Sequence, residues 1–274
     1  MAYVRTRLGR WFYEERGAAK HARDPAILLM HGFFFDGRMW KGQVAPLAAM
    51  GRVIVLDGPG HGRSEAPPRF TLEDNADALL DVYADLGIER AVLVGLSWGG
   101  MVAMRMALQH PERVRALGLL DTSAGTEVLQ NRVLYRLMTA FVRRYGVPPQ
   151  MIEREMLPKF FSPDYLRAHR EAALGYMRAG AGFDRDGVAR ASLAVLIKRK
   201  SVEGALGRIH VPTLVMCGSE DASTPVTRSE TIARGVPGAK LVVLRGAGHM
   251  SAIEQPAEVN EHLVPFVAAQ LTQN

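Results

Sequence analysis

A serine in a tight, glycine-flanked turn is the residue of this sequence best suited to nucleophilic chemistry. The pattern G-x-S-x-G spans residues 95–99 with Ser97 at its centre, directly after a short apolar run and before a helical pattern. Such a strand-to-helix turn leaves the serine hydroxyl exposed at the end of the strand. It also puts the N–H of Trp98 at a helix N-terminus, where a donor without a partner can stabilise an oxyanion. We therefore predict that Ser97 is a nucleophile.

Two later loops supply the partners that a serine nucleophile needs. Serine attacks a carbonyl efficiently only when a neighbouring base takes its proton. His249 lies in a glycine-rich loop after the last apolar run, and Asp221 lies in a turn after the preceding one. We predict that His249 is the base and that Asp221 orients it. Asp121, which follows another apolar run, stays open as a rival acid.

The other histidines are expected to be structural. His31 and His61 lie in glycine-rich loops at strand ends, where the ring can brace the loop by hydrogen bonding. The remaining histidines have no partner pattern: His21, His110, His169, His210 and His262. No histidine pair has metal-ligand spacing with a third ligand, so we expect no metal site. Acyl transfer by a serine also needs no cofactor, and none is expected.

Alternating strands and helices must position these loops. A predicted hairpin over residues 3–15 opens the chain. The later strand-like apolar runs are residues 26–30, 52–56, 91–95, 116–120, 212–217 and 240–244. Helical patterns separate most of them, such as residues 71–86, which Thr71 can cap. Continuous apolar strands between helices indicate an α/β fold with a mostly parallel central sheet flanked by helices.

One stretch after the sixth strand breaks this alternation. Residues 124–205 contain helical patterns and no strand-like run, which predicts a helical cap inserted into a core of residues 1–123 and 206–274. Loops at this edge of a parallel sheet surround the ligand crevice, so the cap should cover the active site. We expect Met138 and Phe141 of the cap, with Phe34 of the core, to line an apolar substrate pocket.

Composition narrows the class of protein. The chain has 274 residues, of which 48% are hydrophobic and 23% charged, as in ordinary globular proteins. The formal net charge of +6 comes from scattered arginines without a nucleic-acid-binding motif, so no nucleic-acid partner is expected. No run approaches the roughly 18 apolar residues of a membrane span, and no membrane partner is expected. The first 13 residues lack a hydrophobic signal region, which favours a cytoplasmic location.

Two local features have plain structural interpretations. Cys217 is the only cysteine, so no intrachain disulfide can form, and its apolar neighbours predict a buried, inert thiol. The tightest basic run consists of Lys198, Arg199 and Lys200. We expect this run to be a solvated helix face.

Three stretches resemble the α/β-hydrolase superfamily: MHGF at residues 30–33, DGPGHGRS at residues 57–64, and the Ser97 turn. The resemblance runs along the whole chain apart from the cap, and it implies the chain order Ser, Asp, His for the catalytic residues. It further implies that the N–H of Phe33 joins that of Trp98 in the oxyanion hole, and that the Asp57 loop is a structural brace. A serine at position 97 argues against the dehalogenases and epoxide hydrolases of this fold, which use aspartate there.

Within the superfamily, the chain looks most like small bacterial esterases and lactonases, including the 3-oxoadipate enol-lactonase group. The resemblance implies hydrolysis of a small-molecule ester or lactone through an acyl-enzyme. Two alternatives stay open. A cofactor-free haloperoxidase or perhydrolase would use the same residues with peroxide as acceptor, and a ligand-sensing protein of this fold would hydrolyse slowly.

Overall fold

An eight-stranded sheet forms the centre of the computed structural model, which describes residues 2–18 and 25–272. His21 lies outside the described residues. The strands are β1 Ala2–Thr6, β2 Gly9–Arg16, β3 Ala26–Met30, β4 Val53–Leu56, β5 Ala91–Leu96, β6 Val114–Leu120, β7 Thr213–Gly218 and β8 Lys240–Leu244. Their order is β1-β2-β4-β3-β5-β6-β7-β8, with β1 and β2 antiparallel to their neighbours and the rest parallel. The predicted opening hairpin and mostly parallel sheet are confirmed.

Helices cover both faces of the sheet. They are α1 Lys41–Ala48, α2 Leu72–Leu86, α3 Trp98–Gln109, α4 Leu129–Tyr145, α5 Pro149–Met151, α6 Leu157–Phe160, α7 Pro163–Ala181, α8 Arg185–Ser192, α9 Val226–Gly235, α10 Ser251–Glu254 and α11 Pro256–Leu271. Alternate strand residues point to opposite faces, so Leu28 packs with α2 and α3 while Leu29 packs with α1 and α11. This two-sided burial is why the parallel strands are continuously apolar.

Helix α2 begins where the sequence predicts. The Thr71 hydroxyl accepts a hydrogen bond from the Asp74 N–H at 3.1 Å, and the Asp74 carboxylate accepts one from the Thr71 N–H at 2.8 Å. This reciprocal capping box satisfies two helix-terminal donors. At the other end, Gly87 adopts a left-handed conformation with φ 63° and ends the helix.

The chain between β6 and β7 is helical, in agreement with the predicted insertion after the sixth strand. We call residues 129–197, from α4 to the π-helix Leu193–Ile197, the helical insertion. A second π-helix, Ile152–Met156, lies within it, and His169 interrupts α7 with non-helical dihedral angles. The exact domain boundaries that the sequence suggests stay a prediction.

A buried ion pair joins the two ends of the helical insertion. The Arg199 guanidinium contacts the Glu127 carboxylate at 2.5 Å and donates to the carbonyls of Gly125 and Val195 at 2.8 and 2.7 Å. Arg199 is only 6% exposed, so the expectation that it belongs to a solvated helix face is wrong. Local sequence patterns could not predict this ion pair, because Glu127 and Arg199 are 72 positions apart along the chain. Its neighbours Lys198 and Lys200 are exposed as expected.

Cys217 lies in β7, beside the edge strand β8, and is buried as predicted. The residue is fully buried in β7, and this burial raises the pKa of its thiol to about 11. A thiol with so high a pKa is protonated at neutral pH and is a poor nucleophile.

Helix α4 lies on the outside of the helical insertion. None of its residues is buried, although its sequence contains many large apolar side chains. It packs on α8 and the neighbouring π-helix through only one side. Within the described ranges, no helix is both long and apolar enough to cross a membrane.

Candidate active site

Ser97 sits in the turn between β5 and α3, in a conformation that its neighbours impose. Its dihedral angles are φ 52° and ψ −110°, and its N–H donates to the Leu120 carbonyl at 2.9 Å. The flanking glycines are required by close contacts. A Cβ on Gly95 would lie 2.2 Å from the Gly99 carbonyl carbon, and one on Gly99 would lie 2.2 Å from the Met30 oxygen. The sequence pattern therefore reflects steric necessity at this turn.

Backbone strain is concentrated at the carboxyl edge of the sheet. The non-glycine residues with positive φ in the described chain are Phe34, Ser97 and Asp121, at 72°, 52° and 44°. They follow β3, β5 and β6. Such conformations cost about 1–3 kcal/mol each and persist where surrounding contacts enforce them, commonly at functional sites.

Two backbone donors beside Ser97 have no acceptor among the described residues: the N–H groups of Phe33 and Trp98. The N–H groups next to them are satisfied, since Phe34 donates to His61 Nε2 at 3.0 Å and Gly99 donates to the His31 carbonyl at 3.1 Å. The loop before Phe33 passes close to the serine, because a Cβ on Gly32 would lie 3.5 Å from the Ser97 Cβ. Free donors on both sides of the hydroxyl suit a developing oxyanion.

His249 and Asp221 form a buried pair. His249 Nδ1 lies 2.8 Å from Asp221 Oδ2, and both residues are at most 5% exposed. Burial opposes charging of the ring, but the Asp221 carboxylate outweighs it, and the pKa of His249 is raised above its ordinary value. A hydrogen bond at Nδ1 fixes the ring orientation and leaves Nε2 for proton transfer.

Thr224 completes this pair, and sequence analysis missed it. Its hydroxyl donates to Asp221 Oδ2 at 2.7 Å and lies 3.2 Å from His249 Nδ1. The N–H groups of Ser223 and Thr224 donate to Asp221 Oδ1, each at 2.8 Å. The available signal was a serine and a threonine two and three positions after an aspartate, a spacing typical of side-chain-capped turns.

The Ser97 hydroxyl makes no hydrogen bond to His249 Nε2 in the part of the chain that the structure describes. Catalytic hydrogen bonds are often long in ligand-free enzymes and tighten when substrate binds. Both residues follow parallel strands of one sheet, so their loops emerge at the same edge. We therefore expect the Ser97 hydroxyl and His249 Nε2 to come within hydrogen-bond distance when substrate binds.

Asp121, the rival acid, points elsewhere. Its Oδ1 accepts from the Gly218 N–H at 2.8 Å, and its Oδ2 accepts from the Ser251 hydroxyl. Complete burial, with the nearby charge of Asp221, holds the pKa of Asp121 well above its ordinary value. Among the described contacts of His249, none is a hydrogen bond to Asp121. This arrangement favours Asp221 as the orienting acid and gives Asp121 a bracing role.

His31 and His61 brace the loop that carries Phe33, as predicted. His31 Nε2 accepts from the Gly58 N–H at 2.7 Å, which ties this loop to the one after β4. Burial, and then the charge of His31, keep the pKa of His61 well below its usual value, consistent with its role as an acceptor. Asp57 accepts from the N–H groups of Gly37 and Arg63 at 2.9 and 3.0 Å. It is thereby a structural residue, as the family resemblance implies.

The ring and side-chain hydrogen-bond contacts of His249 and Asp221 within the described chain involve none of the expected pocket residues. Phe34 is buried against Gly180, Met138 is half-buried, and Phe141 is 41% exposed with its ring 5.2 Å from that of Tyr145. Phe160 instead places its ring 5.8 Å from the His249 ring. Helical spacing identifies an apolar face but not the direction in which that face points. The pocket-lining roles of Phe34, Met138 and Phe141 stay predictions.

Residues 159–162 of the helical insertion, here called the contact segment, are hydrogen-bonded to the loops that carry Asp221 and His249. The Ser223 hydroxyl donates to the Lys159 carbonyl at 2.9 Å, and the Met250 N–H donates to the Phe160 carbonyl at 3.0 Å. Glu254 accepts from the N–H groups of Ser162 and Gly248, each at 3.1 Å. The contact segment therefore fixes the insertion beside His249.

Within residues 2–18 and 25–272, no group of three or more His, Cys, Asp or Glu side chains is placed to hold a metal ion.

Comparison with known proteins agrees with the fold. The alpha/beta hydrolase family matches residues 27–262, and the chain belongs to this family. The resemblance inferred from the three sequence stretches is thereby confirmed. A dihydrolipoyllysine-residue acetyltransferase component of the acetoin cleaving system from Pseudomonas putida is 32% identical over 276 residues, which cover 97% of this chain and 68% of that protein.

Two solved structures are similar over nearly their full lengths. A thermophilic esterase from Thermogutta terrifontis has a TM-score of 0.90 and 32% identity, with 99% of each chain covered. The enol-lactonase from Burkholderia xenovorans LB400 has a TM-score of 0.88 and 28% identity, covering 97% of this chain and 99% of that one.

Proposed function

We propose that this protein hydrolyses carboxylic esters or lactones through an acyl-enzyme formed on Ser97. The observation that carries the proposal is the buried His249–Asp221 pair at the same sheet edge as Ser97. Ser97 itself is held in a strained turn between two N–H donors that have no acceptor within residues 2–18 and 25–272. The similarity to an esterase and an enol-lactonase supports the same substrate class.

In the first step, the Ser97 oxygen attacks the carbonyl carbon of the ester while His249 Nε2 takes the hydroxyl proton. The negative charge on the carbonyl oxygen is held by the N–H groups of Phe33 and Trp98. The tetrahedral species collapses, His249 returns the proton to the leaving oxygen, and the alcohol departs. In a lactone, the departing hydroxyl stays attached to the acyl group.

In the second step, a water molecule attacks the acyl-enzyme. His249 takes a proton from this water, and the same two N–H groups hold the second oxyanion. The bond to Ser97 then breaks, Ser97 recovers its proton from His249, and the carboxylic acid leaves. The charged Asp221 stabilises the imidazolium in both steps, and Thr224 and two backbone N–H groups keep that carboxylate in place.

The experiment is a turnover measurement on the purified protein with p-nitrophenyl esters from acetate to laurate and with simple lactones. Many turnovers per second support an ester hydrolase. A single slow turnover indicates a ligand-sensing protein, and halogenation that needs peroxide without ester hydrolysis indicates a perhydrolase. Either of the latter two results overturns the proposal.

Covalent labelling tests the intermediate directly. A fluorophosphonate should add to the protein once, and peptide mass spectrometry should locate the adduct on Ser97. Ser97→Ala should abolish the labelling, whereas Ser201→Ala, at an exposed serine outside the site, should leave it unchanged. Labelling that persists in Ser97→Ala would exclude the proposed nucleophile.

A further inference from the structure

Helix α4 exposes an unusually apolar surface. We define the α4 stripe as six side chains of this helix that are between 41% and 71% exposed. They are Leu129, Val133, Leu134, Leu137, Phe141 and Tyr145. Most other large apolar side chains of the described chain are covered. Contiguous exposed apolar surface of this kind marks a binding site for a protein or a membrane.

The α4 stripe occupies one side of the helix, turned away from the protein. Its members recur three and four positions apart, which places them on neighbouring turns of a single face. The opposite side makes the contacts with the rest of the insertion. There the Thr139 hydroxyl bonds to that of Ser192 at 2.6 Å, and at the edge of this side Arg132 Nε donates to the Ile197 carbonyl at 2.8 Å.

Positive charge borders the α4 stripe. Helix α4 carries four exposed arginines, and no acidic residue occurs between Val128 and Ile152. Arg132, Arg136 and Arg143 are four and seven positions apart and therefore line one flank of the helix. Asp186 contacts Arg143 at 2.6 Å and offsets its charge, so the net positive charge of this flank comes from Arg132 and Arg136.

Charge decides what this surface can bind. If two copies met through antiparallel α4 stripes about a two-fold axis, the arginine flank of one would face that of the other, and this like-charge contact disfavours a dimer at this face. An anionic bilayer offers both complements, namely acyl chains for the apolar side chains and negative headgroups for the arginines. We propose that α4 docks the protein on anionic lipid surfaces, lying in the interface along its length.

This binding mode needs no spanning segment. At a rise of about 1.5 Å per residue, the 17-residue helix is roughly 26 Å long and would lie parallel to the membrane plane. The expectation of no membrane partner followed from the lack of a long apolar run. Surface docking depends instead on a segregated apolar face with basic residues beside it, which α4 has.

The test is co-sedimentation of the 274-residue chain with vesicles of phosphatidylcholine, with and without phosphatidylglycerol. We expect the wild type to pellet with the anionic vesicles, more weakly at high salt because headgroup attraction is screened. The double variant Val133→Gln, Leu137→Gln should bind at least about tenfold more weakly, since each buried leucine contributes on the order of tenfold. Arg136→Gln should weaken binding about fivefold.

Matched substitutions elsewhere serve as controls. Val243→Gln removes an exposed apolar side chain from β8, and Arg245→Gln removes an exposed arginine next to it. Both should bind vesicles like the wild type, and all variants should keep the wild-type thermal transition because the replaced side chains are solvated. Ester turnover is not needed for this readout.

Three results would overturn the lipid proposal. One is a wild type that pellets with neither vesicle. Another is anionic binding that the α4 variants leave unchanged, because general positive charge would then explain it. The third is a wild-type dimer in light scattering that Val133→Gln, Leu137→Gln converts to a monomer, which would assign the α4 stripe to a second copy of the chain.

Discussion

The carboxyl edge of the sheet and the outer face of the helical insertion differ in almost every physical respect. At the sheet edge, Asp221 accepts hydrogen bonds from several donors and Asp121 is fully buried. On α4, no residue is buried and large apolar side chains face solvent. Chemistry requires atoms held in fixed positions, whereas an adaptable surface suits association. The two regions are therefore built for different tasks, with the contact segment connecting them.

The largest expected effect lies at the centre of the sheet edge. Ser97→Ala removes one hydroxyl without filling or emptying the core, so the fold should persist. Ester turnover should fall by about a million-fold, as when other serine hydrolases lose their nucleophile. Steady-state kinetics together with a thermal melt will measure both effects. Retention of more than a small percentage of activity would mean that the reaction does not pass through Ser97.

The two buried carboxylates of this edge should differ sharply. Asp221→Asn should reduce turnover by up to about ten-thousand-fold, because an amide favours the wrong tautomer of His249. Asp121→Asn should have a far smaller effect, since an amide can still accept from Gly218 and bond to Ser251. Kinetics of the two variants side by side make the comparison. A greater loss in Asp121→Asn would transfer the orienting role to that residue.

The Arg199–Glu127 pair at the base of the helical insertion can be broken without substituting a residue of the sheet edge or of α4. Arg199→Met should destabilise the protein by about 3–5 kcal/mol, because it leaves Glu127 and two carbonyls without their buried partner. Lys198→Met, at the exposed neighbour, should change stability by less than about 0.5 kcal/mol. Urea unfolding of both variants tests the contrast. Equal stabilities would mean that the ion pair contributes no net stability.

The pH profile should report the buried pair at the sheet edge. His249 must be neutral to accept the Ser97 proton, and the pKa of His249 is raised above 6.5 by Asp221 against the effect of burial. Activity should therefore rise with pH through that raised pKa and fall about tenfold per unit below it. A kcat/KM profile against pH measures this midpoint. An acid limb centred below 6.5 would contradict the described environment of the ring.

The smallest effect concerns which part of the insertion contacts the substrate. Phe160→Ala should change the preferred acyl chain length, because its ring lies beside His249. Phe141→Ala should leave the ranking of esters close to that of the wild type, since this ring is exposed beside Tyr145. Rates from acetate to laurate will separate the two, with selectivity changes of about ten- to two-hundred-fold as the upper range. A changed ranking in Phe141→Ala would instead support the pocket that the sequence predicts.

The two regions also differ in how far sequence could describe them. The Ser97 turn and the strands around it follow from local rules, because glycines at close contacts and uninterrupted apolar runs leave few alternatives. The order of residues along a parallel sheet then placed His249 and Asp221 at the same edge. Local patterns could not identify Thr224, Phe160 or the partner of Arg199, because these depend on contacts between distant segments. For α4, local patterns predicted the helix and its apolar face but not whether that face packs inward or is exposed to solvent.

The place where the helical insertion joins the sheet determines which replacements of the insertion the fold can tolerate. The Val202 N–H donates to the Ala124 carbonyl at 2.8 Å, beside the Arg199–Glu127 pair, so the chain leaves the sheet and returns at nearly the same point. The core therefore holds this excursion at its two ends and at the contact segment, which is bonded to the loops of Asp221 and His249. Because the entropy of closing such a loop grows slowly with its length, a longer or shorter excursion would cost the fold little stability. Grafting an insertion from another hydrolase between residues 124 and 202 should therefore transfer substrate preference or membrane affinity, and it should preserve the catalytic geometry only where the graft keeps the contact segment's bonds to Ser223, Met250 and Glu254.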